Sequence, residues 1–302
     1  MINFIKFKRF YFLFSLLFLL PSIYFLSRFG LKPALDFTGG SLLEVQIQPT
    51  HVDQITTSLL ETTVKPDFDI ATIQQTSQNT FIFKAQDMDQ EQNFLLKQKI
   101  TDTIGDPTEI SFQNIGPTLG KELIKKTLAG IALSSGFILL YVAYQFKDKK
   151  YGACAILAML HDTLILLGTF SFLGLKYHIE VDALFVTAVL TILSFSVHDT
   201  IVVYDRIRET LRQNPKLNFT DVVNKAITET LGRSINNSLT IIFMLLSLFM
   251  MGGESIKWFV FALLIGTISG TYSSTFTAAP LLVLWEQLKS KRQGQTLSAK
   301  SG

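Results

Sequence analysis

From residue 10 to residue 27 no charged side chain interrupts the chain. About 20 mostly apolar residues are enough for a helix to cross a bilayer. Five later runs have the same character, so spans are expected at roughly 10–28, 127–146, 151–173, 182–204, 235–252 and 257–285. Composition points the same way, with 48% apolar residues, 26 of them Phe, and only 17% charged. A polytopic α-helical membrane protein with six transmembrane helices is therefore expected. The single cysteine, Cys154, lies within an apolar run, which excludes a disulfide framework and a multi-cysteine metal site. It reads as a small buried hydrophobe, and neither metal nor cofactor is expected.

Lys6, Lys8 and Arg9 precede the first span, as they would in a secretory signal. The apolar run is long, however, and no small-residue cleavage site follows Phe29-Gly30, so a retained anchor is expected. Orientation is read from Lys and Arg in short loops, because long domains cross largely regardless of charge. With the N-terminus inside, the inner segments hold sixteen basic residues, whereas the two short outer loops hold only Lys176 and Lys257. Both termini are thus expected on the cytoplasmic side. The expected segments are 1–29 (N-terminus and first span), 30–126 (outside domain), 127–285 (five-helix membrane domain) and 286–302 (cytoplasmic tail).

Within the outside domain, residues 41–48 alternate, with Leu42, Val45 and Ile47 as the apolar set. Residues 52–64 carry Ile55, Leu59 and Leu60 at helical spacing. Strands at 68–75 and 79–85 are joined around Ser77-Gln78-Asn79, a second helix fits 88–104 with Phe94, Leu95 and Ile100, and a strand fits 108–115. The order β-α-β-β-α-β is that of a ferredoxin-like α+β sandwich. No glycine-rich phosphate loop, Cys/His cluster or nucleophile–base pair is present, so a binding or lever domain is expected rather than an enzyme.

Charged groups inside spans cost several kcal/mol, so each asks for a partner or a task. The third span holds His161-Asp162 and the fourth His198-Asp199. Each Asp either fixes helix packing through hydrogen bonds or carries a proton. At about 1.5 Å per residue, Asp199 and Arg233 fall at similar depth. They form either a switchable ion pair or a carboxylate and a separate arginine that snorkels to the headgroups. Gly266, Gly270, Ser274 and Ala278 recur at four-residue spacing in the sixth span, a stripe for close helix approach inside the bundle or to a partner. Pro280 and the Thr/Ser run around it are expected to loosen that helix. The run Val222, Val223, Ala226, Ile227 and Leu231 is expected to lie along the inner membrane surface.

Several motifs recur in a fixed order: Asp36-Phe37-Thr38-Gly39-Gly40, Ile115-Gly116-Pro117, Gly120-Lys121-Glu122-Leu123 and His161-Asp162. They continue with Val197-His198-Asp199-Thr200 running on to Glu209, then Arg233-Ser234-Ile235-Asn236, Gly252-Gly253-Glu254, and Gly270-Thr271-Tyr272-Ser273-Ser274. Over nearly its whole length the chain resembles the SecF side of the SecD/SecF protein-export family, in the resistance-nodulation-division superfamily. The resemblance implies a ferredoxin-like periplasmic domain and use of the proton gradient, with SecD, to assist late preprotein export across the inner membrane. It implies a SecD heterodimer and the Sec translocon channel, secreted preproteins and membrane lipids as partners, without nucleic acid. The family's intramembrane Asp falls on Asp199 and its Arg on Arg233. Where the family usually has Asn, this chain has His198, which either shares the proton or stands in for Asn as a neutral hydrogen-bonding group. Two other readings are a superfamily exporter of small solutes or lipids and a passive membrane scaffold. Such exporters typically have 12 spans and two large outside domains, unlike this chain.

Overall fold

The structure is a computed structural model that describes residues 3–50, 54–86, 88–146 and 148–300, with side chains of 117, 254 and 291–300 left aside. The first residues of the helix expected at 52–64, Lys147 and the last two residues of the tail therefore lie outside the described residues, as do the side chains of Pro117 and Glu254 in two of the quoted motifs. The chain divides into two compact units: Met1–Lys32 with Ala129–Gly302, and Pro33–Leu128.

The smaller unit begins with a single helical turn, α2 (Leu35–Thr38), which follows the long helix α1 (Lys8–Phe29). Next come β1 (Gly40–Pro49), α3 (Thr57–Val64), β2 (Ile70–Ser77), β3 (Thr80–Ala85), α4 (Gln90–Thr103) and β4 (Gly105–Ile115). The sheet order is β2-β3-β1-β4 with every neighbouring pair antiparallel, the ferredoxin-like arrangement. Local chemistry sets the boundaries. Thr56 caps α3 through its hydroxyl, and Asp89 with Gln92 forms a reciprocal capping box at α4. Asn79, at φ 62°, takes the left-handed position of the β2–β3 hairpin that its short polar side chain tolerates.

The core face of the sheet carries Leu43, Val45, Ile47, Phe81 and Phe83 against Leu60, Val64, Leu96 and Ile100. Each such side chain contributes roughly 1.5–3 kcal/mol on leaving water. Two expectations change. Leu43, not Leu42, joins Val45 and Ile47, because side chains two apart share a face. On α4, Phe94 and Leu95 are 63% and 47% exposed while Asn93, Leu96 and Ile100 are buried. Spacings of three and four select the buried stripe, and Phe94 and Leu95 fall off it.

The larger unit holds α1 with a preceding 3₁₀ turn (Phe4–Phe7), the membrane half of α5 (Pro117–Gln145), α6 (Lys149–Tyr177), α7 (Ala183–Gln213), α8 (Phe219–Met251), α9 (Glu254–Ser273) and α10 (Ala279–Lys300). Among the described residues, six helical segments are long and apolar enough to cross a membrane, the sixth running continuously from α9 into α10. In hydrocarbon every backbone group must be satisfied within the protein, which favours continuous helices of this kind. The apolar side chains left on the outside, such as Leu13, Leu17 and Phe137, suit a lipid surround.

α6, α7 and α9 form the centre. α1 lies on α6 so closely that a Cβ on Gly168 would overlap Ser22. Ser171 Oγ sits at the same seam, 2.9 Å from the Phe25 carbonyl oxygen and 2.6 Å from that of Gly30. A π-helical turn, Ser274–Ala278, separates α9 from α10 just before Pro280, whose missing N–H and bulky ring disturb the preceding turn.

The expected surface run at 222–231 is instead the first three turns of α8. Val222, Val223, Ala226 and Ile227 are buried in the same core as Ile5, Tyr151 and Tyr204. The Ile5 N–H also donates to Asn224 Oδ1 at 3.0 Å. The apolar stripe is covered by protein rather than left free for lipid.

Candidate functional site

The two intramembrane carboxylates have unlike surroundings. Asp162, on α6, is fully buried. Ser196 of α7 donates to its Oδ2 at 2.6 Å, and Ser273 of α9 donates to the same oxygen at 2.5 Å. Ser269 of α9 donates to Oδ1 at 2.7 Å, and His161 Nδ1 lies 3.0 Å from that oxygen. An ionised carboxylate only accepts, so it matches four donors, with the His161 proton on Nδ1. The opposite ring nitrogen, His161 Nε2, is buried without a partner among the described residues. This cage joins three helices through one side chain.

Asp199, on α7, is 5% exposed and has one described hydrogen bond, from Ser234 Oγ of α8 at 3.1 Å. One helical turn from Ser196, Thr200 buries an Oγ1 that has no partner among the described residues. Arg233 precedes Ser234, but one residue along a helix rotates the side chain by about 100°. Its side chain is exposed and lines a charged cavity of about 600 Å³ between the last turns of α7 and the third and fourth turns of α8. No Asp199–Arg233 ion pair is formed among the described residues; the matched depth places the two on adjacent helices, and Ser234 occupies the carboxylate. His198 faces a cleft between α5 and α7, beside Ser194 and Ile201.

The small-residue stripe lies against α7. A Cβ on Gly266 would come within 2.6 Å of Ile192 Cγ2, and one on Gly270 would lie 3.3 Å from the Phe195 ring. Ser274 donates to the Thr271 carbonyl, and the Ala278 carbonyl accepts from the Tyr204 hydroxyl at 2.9 Å. In the smaller unit, Asp36 sits in α2, and Gly39 and Gly40 follow at φ 71° and 116°. A Cβ on Gly40 would meet the Ala85 carbonyl oxygen at 2.6 Å. Gly120 faces Gly39 so closely that a Cβ there would lie 2.9 Å from its nitrogen. These glycines allow three backbones to cross where side chains would not fit.

Ser196 and Ser269 carry no motif in the sequence, and Ser234 and Ser273 stand only inside longer motifs that do not reveal their partners. A signal existed for one pair: Ser269 and Ser273 repeat at four-residue spacing, parallel to the glycine stripe and one position before Gly270 and Ser274.

Six apolar helices, a ferredoxin-like insertion after the first, and carboxylates buried on the third and fourth define a multi-pass membrane protein built around intramembrane acid groups. The family described as protein export membrane protein SecD/SecF, C-terminal, matches residues 95–288, and the SecD/SecF GG motif matches residues 24–50. The chain belongs to the SecD/SecF family, as a multi-pass protein of the inner membrane. A protein translocase subunit SecF from Thermobaculum terrenum is 40% identical over 300 residues, covering 95% of this chain and 94% of the relative. The one from Synechocystis is 36% identical, covering 86% of this chain and 85% of the relative. A crystal structure of SecDF, a translocon-associated membrane protein from Thermus, superposes with a TM-score of 0.82 at 30% identity. That match covers 95% of this chain but only 39% of the SecDF chain.

Proposed function

We propose that this chain is a Sec protein-export subunit that works with SecD, using the proton gradient to assist preproteins across the inner membrane. The contrast between the two carboxylates carries the reading. Asp162 is satisfied by four neighbours, whereas Asp199 is buried with one hydroxyl. A buried acid group in a membrane helix is costly and marks a functional pathway. Of the two, Asp199 retains the capacity to take up and give back a proton. Arg233 stands one residue from the serine that holds Asp199 and closes on the carboxylate when α8 turns. His198 borders the cleft beside it, and His161 with Asp162 forms the hub against which α7 and α9 move.

SecD as partner is supported by the Thermus relative described as protein translocase subunit SecDF, which is 33% identical over 274 residues. This chain covers 36% of that longer protein. The translocon channel and preproteins complete the assembly. Both termini lie in the cytoplasm and residues 30–126 form a periplasmic lever, as the sixteen inner basic residues against two outer ones support. Residues 127–285 form the membrane domain and 286–302 the tail. The role is mechanical coupling, with no covalent step.

The test replaces Asp199 with Asn and measures export of a secreted preprotein into membrane vesicles with and without a proton gradient. The gradient-stimulated part of export is expected to vanish while the variant still co-purifies with SecD. Unchanged stimulation sinks the proposal.

A further inference from the structure

The charged cavity between the last turns of α7 and the third and fourth turns of α8 is lined by four arginines and three acids. The acids are already paired. Arg206 bonds Glu209 at 2.6 Å and Glu229 at 2.7 Å, and Arg208 bonds Asp205 at 3.1 Å. Asp205 also accepts from Gln145 at 3.2 Å. Arg212 and Arg233 line the same cavity without an ion-pair partner among the described residues. Two free guanidinium groups in one concavity make a receptor for a doubly coordinated oxyanion, the geometry arginine serves best.

The level of the cavity in the bilayer narrows the choice of anion. Uncharged residues 200–204 of α7 end directly before Asp205 and Arg206, and the uncharged run of α8 starts directly after Arg233. The cavity therefore lies where apolar helix meets headgroups. A second space lies beside it. Val202 and Asp205 are shared with the cleft of about 400 Å³ between α5 and α7, whose walls include Phe137, Ile138, Tyr141, Val197 and Ile201. A cationic pocket at headgroup depth with an apolar slot beside it along the helices matches the two parts of a phospholipid. Basic pockets between membrane helices take up anionic headgroups for this reason.

We infer that the chain holds an anionic phospholipid at this place, its phosphate between Arg212 and Arg233 and one acyl chain in the cleft between α5 and α7. The lipid then lies against the cleft wall that carries His198 and fills the gap beside α5. Among the buried core residues, α5 contributes Val142 near its far end, and Phe146 directly follows its last residue. Arg233 also figures in the proton pathway, so Arg212, which has no part in it, carries the test.

The full-length chain in detergent is titrated with phosphatidylglycerol, phosphatidylcholine or inorganic phosphate, and bound lipid is counted by native mass spectrometry. Phosphatidylglycerol is expected to be retained in preference to phosphatidylcholine, and Arg212→Gln is expected to lower its retention about fivefold, one surface arginine's worth of attraction. Ile201→Trp, which fills the cleft, is expected to lower retention while the melting temperature holds. Equal retention of the two lipids overturns the proposal, as does full displacement of phosphatidylglycerol by inorganic phosphate, which leaves the cleft without a role. A complex with SecD that carries no phosphatidylglycerol overturns it too, since the cleft is then a docking surface for a partner helix.

Discussion

Gly168→Ala is the sharpest test of how α1 joins the bundle. The new Cβ overlaps the Cα and Cβ of Ser22 and comes within 2.7 Å of its carbonyl carbon. Ordinary carbon contacts lie at about 3.5–4.0 Å, so α1 and α6 must separate by roughly 1 Å. These are backbone and Cβ atoms, and no rotamer change relieves them. The Ser171 hydroxyl, one turn along α6, loses its carbonyl partners on α1 at the same time. Overpacking costs about 1–3 kcal/mol and a lost interhelical hydrogen bond about 0.6, for a total of about 2–4 kcal/mol. Gly136 of α5 is the control, because a Cβ there meets nothing within 4 Å and Gly→Ala within a helix gains about 0.5–1 kcal/mol. The buried single thiol, Cys154, supplies the assay: a maleimide dye reports unfolding as the detergent-solubilised chain is heated. The Gly168→Ala midpoint should fall well below wild type, while Gly136→Ala should match or exceed it. Equal midpoints for the two variants would refute the close packing of α1 on α6.

Asp162→Ala leaves three serine hydroxyls and an imidazole without their acceptor. A cost of about 2–4 kcal/mol is expected, since some hydroxyls can turn to their own helix carbonyls. Asp162→Asn keeps an acceptor and should cost distinctly less in the same thiol assay; equal losses would contradict the cage. In the smaller unit, the hydrogen bond from Lys97 Nζ at 2.6 Å holds the Glu109 carboxyl below its usual range. Its stabilisation should be complete above an unfolded pKa of about 4.3 and fade as pH falls through the lowered folded value. Hydrogen exchange of β4 in wild type and Glu109→Gln should accordingly converge with acidification; a gap that persists at low pH would argue against the bond.

Long apolar runs and alternating strands were legible because each is a one-dimensional pattern, and the six helices and the β-α-β-β-α-β order follow from them. Direction around a helix is not such a pattern, and the sequence leaves it open. The matched depth of Asp199 and Arg233 was a statement about height along the membrane. The side chain that reaches Asp199 is Ser234, about 100° further round. Val222, Val223, Ala226 and Ile227 form the same stripe whether it meets lipid or protein, and only the fold supplies Ile5 and Tyr204 as neighbours. Phe94 and Leu95 are as apolar as Leu96, yet only Leu96 holds the buried position. The cage around Asp162 stayed hidden because serine in a membrane helix is equally a small packing residue. Its role appears only when α7 and α9 meet α6.

The central claim is that Asp199 carries protons. Its most direct test measures proton flux in sealed proteoliposomes holding this chain with SecD and the channel, under an imposed pH gradient and with preprotein present. Wild type should dissipate the gradient faster than Asp199→Asn, and Asp162→Asn should retain more of the flux than Asp199→Asn. Equal flux through wild type and Asp199→Asn would contradict the account.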